Sequence, residues 1–472
     1  VTSIVVCGGG VIGLAAAMML ARDGHRVTVL EANPELPPFA PEAAWQKWTR
    51  HGVAQFRQPH TMFPAFREVL RRELPDLLER LTQAGCLSRS LLDAMPPGIT
   101  DRSPRPGDDR LTGIAGRRPV VEAVFATAAA VELGVKVRRG VRAVGLLESA
   151  PVLPGVPHVA GVRTDDGEEL RADLVIDAMG RRTPSAVWLA ALGARGERGP
   201  QIDTEDLGFA YYSRFYTGPR HPESRSGALT PVGSFSLLTL LGDNDSWSVT
   251  VYTAGHDPAF KALRDPARFE RLLAACPAHA HWSATGTPIT DVLPMAGIQD
   301  RVRRFLRDGQ PVVTGYAAVG DAWACTNPSG GRGLSIGLLH AQALRQVLRD
   351  GPGDPALFQL SWDTATQRQV LPFYLDQARA DRARIAEMTA LRDGSEPPAP
   401  DPLGSRLQQT AGHDAGAFRA LLGLIGCLEP ADQVFGRPGF IEGLDELEPG
   451  GPGERPPVLG PDRERLLQLL TG

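Results

Sequence analysis

Gly8-Gly9-Gly10-Val11-Ile12-Gly13 lies between an apolar run, Ser3 to Cys7, and a run rich in Ala, Leu and Met, Val11 to Arg22. Small residues permit a tight turn and let the backbone approach a phosphate. The helix that follows offers unpaired N–H groups and the positive end of its dipole. Glu31, followed by Ala32, ends a second apolar run that begins at Arg26. A carboxylate there accepts hydrogen bonds from ribose hydroxyls and repels a 2′-phosphate. Far downstream, Gly320-Asp321-Ala322 leads into Asn327-Pro328-Ser329-Gly330-Gly331-Arg332-Gly333 and a helical run from Leu334. Asp321 is placed to receive ribityl hydroxyls, and the three glycines let backbone lie against an isoalloxazine ring. The helix start would stabilise the charge that the ring's N1–C2=O edge acquires on reduction. The first stretch alone suits any dinucleotide. Both together, in this order, predict FAD and redox chemistry.

Other constellations carry less. Gly333-Leu334-Ser335-Ile336-Gly337 has the spacing of a hydrolase elbow, but that turn needs a strand running into the serine, and here Ser335 falls inside a helix. His279 and His281 share a face only if Ala278 to Trp282 is extended, and no third ligand is nearby, so no metal site is expected. Cys325 reads as a small buried thiol in the downstream loop. His60 has a site role or a structural one open to it. Tyr211, Tyr212 and Trp247 are candidate walls of a substrate pocket, with plain sheet packing as the alternative.

The elements that must position these groups follow from periodicity. Strand, glycine turn, helix and strand over Ser3 to Glu31 make a parallel α/β unit buried on both faces. Asn33 to Gly52 is Pro-rich and irregular, and Phe63 to Leu81 is helical with a break at Pro75. Pro119 to Leu133 is a helix, and Val135 to Arg138, Val144 to Leu147, Val159 to Arg163 and Leu174 to Ala178 are strands. Gly208 to Tyr216, Ser234 to Leu241 and Trp247 to Thr253 form an antiparallel insertion, with Gly242 to Asp245 as a hairpin loop. Pro311 to Gly320 resumes a buried strand. Leu334 to Leu348, Pro355 to Leu391 (kinked at Pro372) and Ala417 to Leu428 are helical, and Glu448 to Pro457 is extended.

Composition excludes some partners. A net charge of -4 over 472 residues gives no reason to expect nucleic acid. No apolar run approaches the ~20 residues that span a bilayer. The five cysteines are far apart with no CxxC spacing, which suits reduced thiols and a cytoplasmic setting.

The opening VVCGGGVIGLAAAMMLARDGHRVTVLE and the later GDAWACTNPSGGRGLSIGLLHAQAL resemble the FAD-dependent monooxygenases of the aromatic-hydroxylase and squalene-epoxidase type. Their fold is the glutathione-reductase-type FAD fold. The segment Gly116 to Glu122 resembles that family's Arg-x-x-x-Glu, with Arg118 as the FAD contact. Gly52 to His60 resembles a loop that passes the flavin, carrying Gln55, and Leu174 to Arg181 resembles the second nucleotide-contact motif.

The resemblance implies a Rossmann-like FAD-binding domain in three parts (1–75, 108–182, 291–350). It also implies a substrate-side insertion (76–107), an inserted, mainly antiparallel substrate domain (183–290) and a helical C-terminal region (351–472). The FAD contacts it implies are Gly8, Gly10, Val11, Ile12, Gly13, Glu31, Ala32, Gln55, Arg118, Ala143, Asp321, Pro328, Gly331, Gly333 and Leu334. Pro328, Gly330, Gly331 and His60 would stand at the reacting centre. The implied reaction inserts one oxygen of O2, through a flavin C4a-(hydro)peroxide, into a small apolar substrate by hydroxylation or epoxidation. NADH or NADPH would supply electrons, directly or through a flavin reductase. Two departures stand out: Met179 replaces the Asp before the glycine of the middle motif, and Ala324 replaces a His after Gly-Asp-Ala. A flavin enzyme without oxygen insertion, a halogenase and a non-catalytic binding protein are the alternatives. The halogenase signature Trp-x-Trp-x-Ile-Pro is absent.

Overall fold

A computed structural model describes residues 1–472 except 207, 225–226, 352, 447–458 and 472, so the stretch from Glu448 to Pro457 lies outside the described residues. A parallel sheet runs in the order Tyr316–Ala318, Leu174–Asp177, Ser3–Cys7, Arg26–Glu31, Val135–Arg139. In the central strand, Ile4 and Val6 enter one hydrophobic core while Val5 and Cys7 enter another. That two-faced burial explains an uninterrupted apolar run. Helix Val11–Arg22 packs on one face and is buried along nearly its whole length.

The second sheet is antiparallel, ordered Leu229–Val232, Phe235–Leu241, Ser246–Ala254, Phe209–Thr217, Thr287–Pro288, with Leu293–Ala296 also on Phe209–Thr217. One face holds Tyr212, Tyr216, Trp247, Val249 and Val251 in a core closed by Phe260 and Phe269. The terminal helix Arg463–Thr471 packs there through Leu466 and Leu470. The other face carries Phe209, Tyr211 and Tyr252 beneath Met388 of the long helix Leu371–Asp393.

Most expected elements are present, and the departures have local causes. Pro311 ends a two-residue strand, Gln310–Pro311, and the buried strand resumes only at Tyr316–Ala318, after Gly315 turns with φ +71 where an added Cβ would lie 2.1 Å from the Val159 carbonyl oxygen. Helix Pro41–Gln46 interrupts the irregular stretch, with Pro at its first position, where a missing N–H costs nothing. Ala280–Ala284 is helical rather than extended, so His279 and His281 share no strand face; His281 Nε2 lies 2.7 Å from the Glu223 carbonyl oxygen. Pro355 to Leu391 is two helices, Pro355–Gln369 and Leu371–Asp393, broken at Val370. Ser335 is fully buried in helix Gly333–Arg349, where it cannot serve as a nucleophile.

One latch ties the sheets together. The hairpin residues Asn244 and Asp245 turn with φ 49 and 57, which Asn and Asp tolerate. The turn presents Asp243 to Arg117, which donates its backbone N–H at 2.6 Å and its NH2 at 2.7 Å. Both side chains are buried, at 2% and 0% exposure. Asn244 adds a bond from Nδ2 to the Ala84 carbonyl at 3.1 Å. Removing Asp243 leaves buried Arg117 only its half-exposed partner Glu42, at 2.8 Å, so Asp243→Ala should cost about 3 kcal/mol, the low end for breaking a buried pair. Chemical denaturation measures this, and a loss under ~1 kcal/mol would show that the latch is not structural.

Candidate active site

The glycine turn works at three positions. Gly8 has φ +109, and a Cβ on it would stand 2.4 Å from the Ala178 carbonyl oxygen; one on Gly13 would stand 2.0 Å from that of Gly8. Strand and helix close on each other only with glycine there. Gly10, by contrast, has nothing within 4 Å of its Cβ position. It caps helix Val11–Arg22 without a side-chain bond, and no acid lies in the first turn. This open, positive helix start suits an anion.

The second cradle abuts the first. A Cβ on Gly320 would be 3.4 Å from Ile12 Cγ2, and one on Gly337 would be 2.7 Å from Ile12 Cδ1. Ile12 thus touches both ends of the downstream motif. Asp321 is half-buried, and its carboxylate accepts no hydrogen bond among the described residues. Burial pushes its pKa up, opposed by the charges of Arg118, Arg181 and Arg303. Gly331 turns with φ +67, and Gly333, exposed, opens helix Gly333–Arg349 with no side-chain cap and no acid in the first turn. Leu334 is buried behind it, and Pro328 begins the short turn Pro328–Gly330.

A chain of alternating charge runs beneath. Glu31 accepts the backbone N–H groups of Gly9 at 3.0 Å and Asn33 at 2.8 Å, and pairs with Arg50. Arg50 also pairs with Glu122, which takes Arg118 Nε at 2.6 Å. Burial would raise the Glu122 carboxyl, but Arg50 and Arg118 outweigh it and hold it below the ordinary range. Arg118 NH1 lies 2.9 Å from His60 Nε2, and His60 Nδ1 lies 2.8 Å from the Gln58 carbonyl. A carbonyl only accepts, so Nδ1 carries the proton and Nε2 accepts from Arg118. Burial and the Arg118 charge push the His60 pKa down to about 3.

Several expected residues therefore take other roles. His60 positions Arg118, and both its ring nitrogens are engaged. Gly330 faces the long helix on its Cβ side, where a Cβ would meet Gln377 Oε1 at 2.2 Å. Tyr212 and Trp247 belong to the core face of the antiparallel sheet, with Trp247 Nε1 donating to the Trp282 carbonyl at 2.7 Å. Strand alternation puts Tyr211 on the opposite face, where it donates to Asn327 Oδ1 and stacks on Tyr252 at 5.6 Å. Gln55 is half-buried; its neighbour Gln58 makes the link to the sheet, accepting from Ser213 Oγ at 3.0 Å. Ala32 is exposed beside Glu31, and Ala143 is buried at the start of strand Ala143–Leu153. Arg50, Gln58, Asp300, Gln377 and Asp381 escape a sequence reading, because only distant partners give them meaning.

The family model of FAD dependent oxidoreductases matches residues 3–38, the strand, glycine turn, helix and second strand. Para-nitrophenol 4-monooxygenase of Pseudomonas sp. (strain WBC-3) is 26% identical over 76% of this chain and 82% of its own. The chain is an FAD-dependent oxidoreductase. Protein Rv3254 of Mycobacterium tuberculosis (strain ATCC 25618 / H37Rv) is 28% identical to this oxidoreductase over 73% of the chain and 72% of its own. Among solved structures, p-nitrophenol 4-monooxygenase PnpA of Pseudomonas putida DLL-E4 has a TM-score of 0.59 at 19% identity, covering 91% of this chain and all of its own. The flavin-dependent brominase Bmp2 has a TM-score of 0.61 at 16% identity, covering 94% of this chain and 98% of its own. The oxidoreductase thus has the fold of flavin monooxygenases, a fold that also carries halogenation.

His60 should stay neutral with its proton on Nδ1 between pH 8 and pH 5. Nitrogen-15 imidazole shifts measure this, and protonation with a midpoint near 6.5 would contradict the Arg118 contact.

Proposed function

We propose that this oxidoreductase is a monooxygenase that holds FAD across the two glycine cradles and hydroxylates a small aromatic substrate. The observation that carries the reading is the contact of Ile12 with both Gly320 and Gly337. It brings an anion seat beside an unmet carboxylate, and FAD has a pyrophosphate for the first and ribityl hydroxyls for the second. Gly10, Val11, Ile12 and Gly13 seat the pyrophosphate. Gly8 and Gly13 let the turn close, and Glu31, held toward Gly9, offers its remaining acceptor capacity to ribose. Arg118 and Asp321 face the phosphate and ribityl portions. Gly331, Gly333 and Leu334 present backbone to the ring's pyrimidine edge, and Pro328 shapes the oxygen side.

When bound and reduced, the flavin activates O2. The chain's own residues orient the substrate and exclude water. Tyr211, Tyr252, Phe209 and Met388 pack as a buried aromatic cluster against the loop, which Tyr211 joins through Asn327, and that cluster would back an aromatic substrate. The 26% relative, named for a nitrophenol, supports an aromatic substrate and oxygen insertion. Met179 in the middle motif favours electrons delivered by a separate flavin reductase over direct reduction by NADH or NADPH. The neighbouring Asp177 is spent on Met179 N–H at 3.0 Å, Thr183 at 2.6 Å and Tyr316 at 2.7 Å.

Asp321→Ala should weaken FAD binding roughly 10- to 100-fold, as the loss of hydrogen bonds to a charged acceptor implies. Flavin fluorescence titration measures this, and unchanged affinity would remove Asp321 from the site. Under 18O2, with a phenol and a flavin reductase supplying electrons, one labelled oxygen is expected in the product. Flavin turnover that yields unlabelled oxidised product and hydrogen peroxide would instead indicate an oxidase.

A further inference from the structure

Arg303 is a buried cation that meets main chain instead of an acid. It stands on strand Asp300–Arg304 at 3% exposure, and among the described residues no carboxylate pairs with it. Its NH1 donates to the Ala322 carbonyl at 2.9 Å and lies 3.5 Å from the Asp321 carbonyl, while NH2 reaches the Arg181 carbonyl at 3.3 Å. Its backbone N–H donates to the Trp323 carbonyl at 2.8 Å. One guanidinium thus ties the turn Gly180–Arg182 to the turn Gly320–Ala322. Burial works against its charge, with Arg301 adding and Asp177 opposing. Asp177 is itself already bonded to Met179, Thr183 and Tyr316. A guanidinium sealed from water without an acid is costly, and bonds to carbonyls offset only part of that cost.

A second side chain holds the same turn. Gly320 N–H donates to His340 Nδ1 at 3.2 Å. Nδ1 is therefore bare, and Nε2 carries the proton that goes to Thr366 Oγ1 at 3.2 Å. The Thr366 hydroxyl in turn donates to the Trp362 carbonyl at 2.8 Å. His340 is fully buried, stacked on Trp362 at 4.5 Å with Trp323 edge-on at 5.2 Å. Burial pushes its pKa down to about 3, so the ring stays neutral. Side chains therefore grip the turn by one N–H and two carbonyls, while the Asp321 carboxylate accepts no hydrogen bond among the described residues.

We propose that Arg303 is a positioning residue of the flavin site, which fixes Asp321 through the carbonyls of its turn and supplies the positive charge that this carboxylate lacks. His340 holds the same turn by its N–H. Arg118, Arg181 and Arg303 all act on the Asp321 charge. Arg118 is committed to Glu122 at 2.6 Å, and Arg181 is half-buried, where water screens it. Arg303 alone of the three is buried and has no acid of its own, so its charge is left for Asp321. The inference rests on Asp321 receiving the ribityl hydroxyls of FAD. It does not depend on whether oxygen is inserted.

A double-variant cycle in FAD affinity tests whether Arg303 acts through Asp321. Flavin fluorescence titration compares the unaltered flavin-free chain with Arg303→Met, Asp321→Ala and the two combined. Met keeps the length of the stem and removes the fork and the charge. Arg303→Met is expected to weaken FAD binding roughly tenfold, and the double variant should bind within about threefold of Asp321→Ala alone. Unchanged affinity in Arg303→Met, or two losses that multiply, would overturn the assignment. The flavin midpoint potential reads the charge separately. Reduction adds negative charge beside an acid no longer compensated, so Arg303→Met should lower the potential by about 15 to 30 mV, a roughly threefold to tenfold change for a two-electron couple. Arg303→Lys keeps the charge but not the fork, so it should restore the potential while still binding FAD less tightly than the unaltered chain. Equal potentials in the Met and Lys variants would overturn the electrostatic role. If Arg303→Met fails to fold, His340→Gln takes its place in the cycle, keeping a donor for Thr366 and removing the acceptor for Gly320. The same two outcomes, non-additive or multiplied losses, then decide. An unaltered chain that binds no FAD would remove the FAD reading itself, whereas FAD binding with a multiplicative cycle removes this inference alone.

Discussion

The structure turns on a close helix crossing at Ile12. The side chain that follows the first glycine turn fits against Gly320 on one side and Gly337 on the other, and a Cβ at Gly337 would collide with it at 2.7 Å. That contact joins two loops lying at opposite ends of the nucleotide-binding fold's sequence. It brings an uncapped helix start, Val11–Arg22, and a second, Gly333–Arg349, to the two ends of the proposed FAD groove. Asp321 lies beside it, and its carboxylate accepts no hydrogen bond among the described residues. The groove's polarity is thus built from backbone and one acid, and needs few ionisable side chains of its own.

The groove is held in shape by charge arranged in sequence rather than by isolated pairs. Glu31, Arg50, Glu122 and Arg118 alternate in sign, and each buried charge has an opposite neighbour on at least one side. Such a row tolerates burial because every desolvated group is compensated. It also makes Glu31 less free than a ribose ligand at the end of a strand would be. Arg117, one residue before Arg118, turns the other way to grip Asp243. The two adjacent arginines therefore connect the groove with the antiparallel sheet.

Legibility in the sequence followed distance along the chain. The glycine turn, its flanking strands and Glu31 lie within a short span, and local spacing sufficed to read them. The hairpin at Asp243 and the break before Pro372 were equally readable, because turn chemistry is local. Arg50 lies 72 residues from Glu122, and Asp381 lies 52 from Ser329. Nothing in their neighbourhoods marks them, since Asp381 looks like one more charge on a polar helix. The face of the antiparallel sheet was ambiguous for another reason: its central strand is buried on both sides, so Tyr211 and Tyr212 look alike until register separates them. Gly330 shows a partner that spacing alone does not give, since its Cβ side meets Gln377 of the long helix.

The central claim is that FAD spans both cradles, and equilibrium titration of the flavin-free protein with FAD and with FMN tests it most directly. The account predicts saturation at one FAD per chain and much weaker binding of FMN, which cannot reach the seat at Gly10. Equal affinity for both, or no binding of FAD, would contradict it.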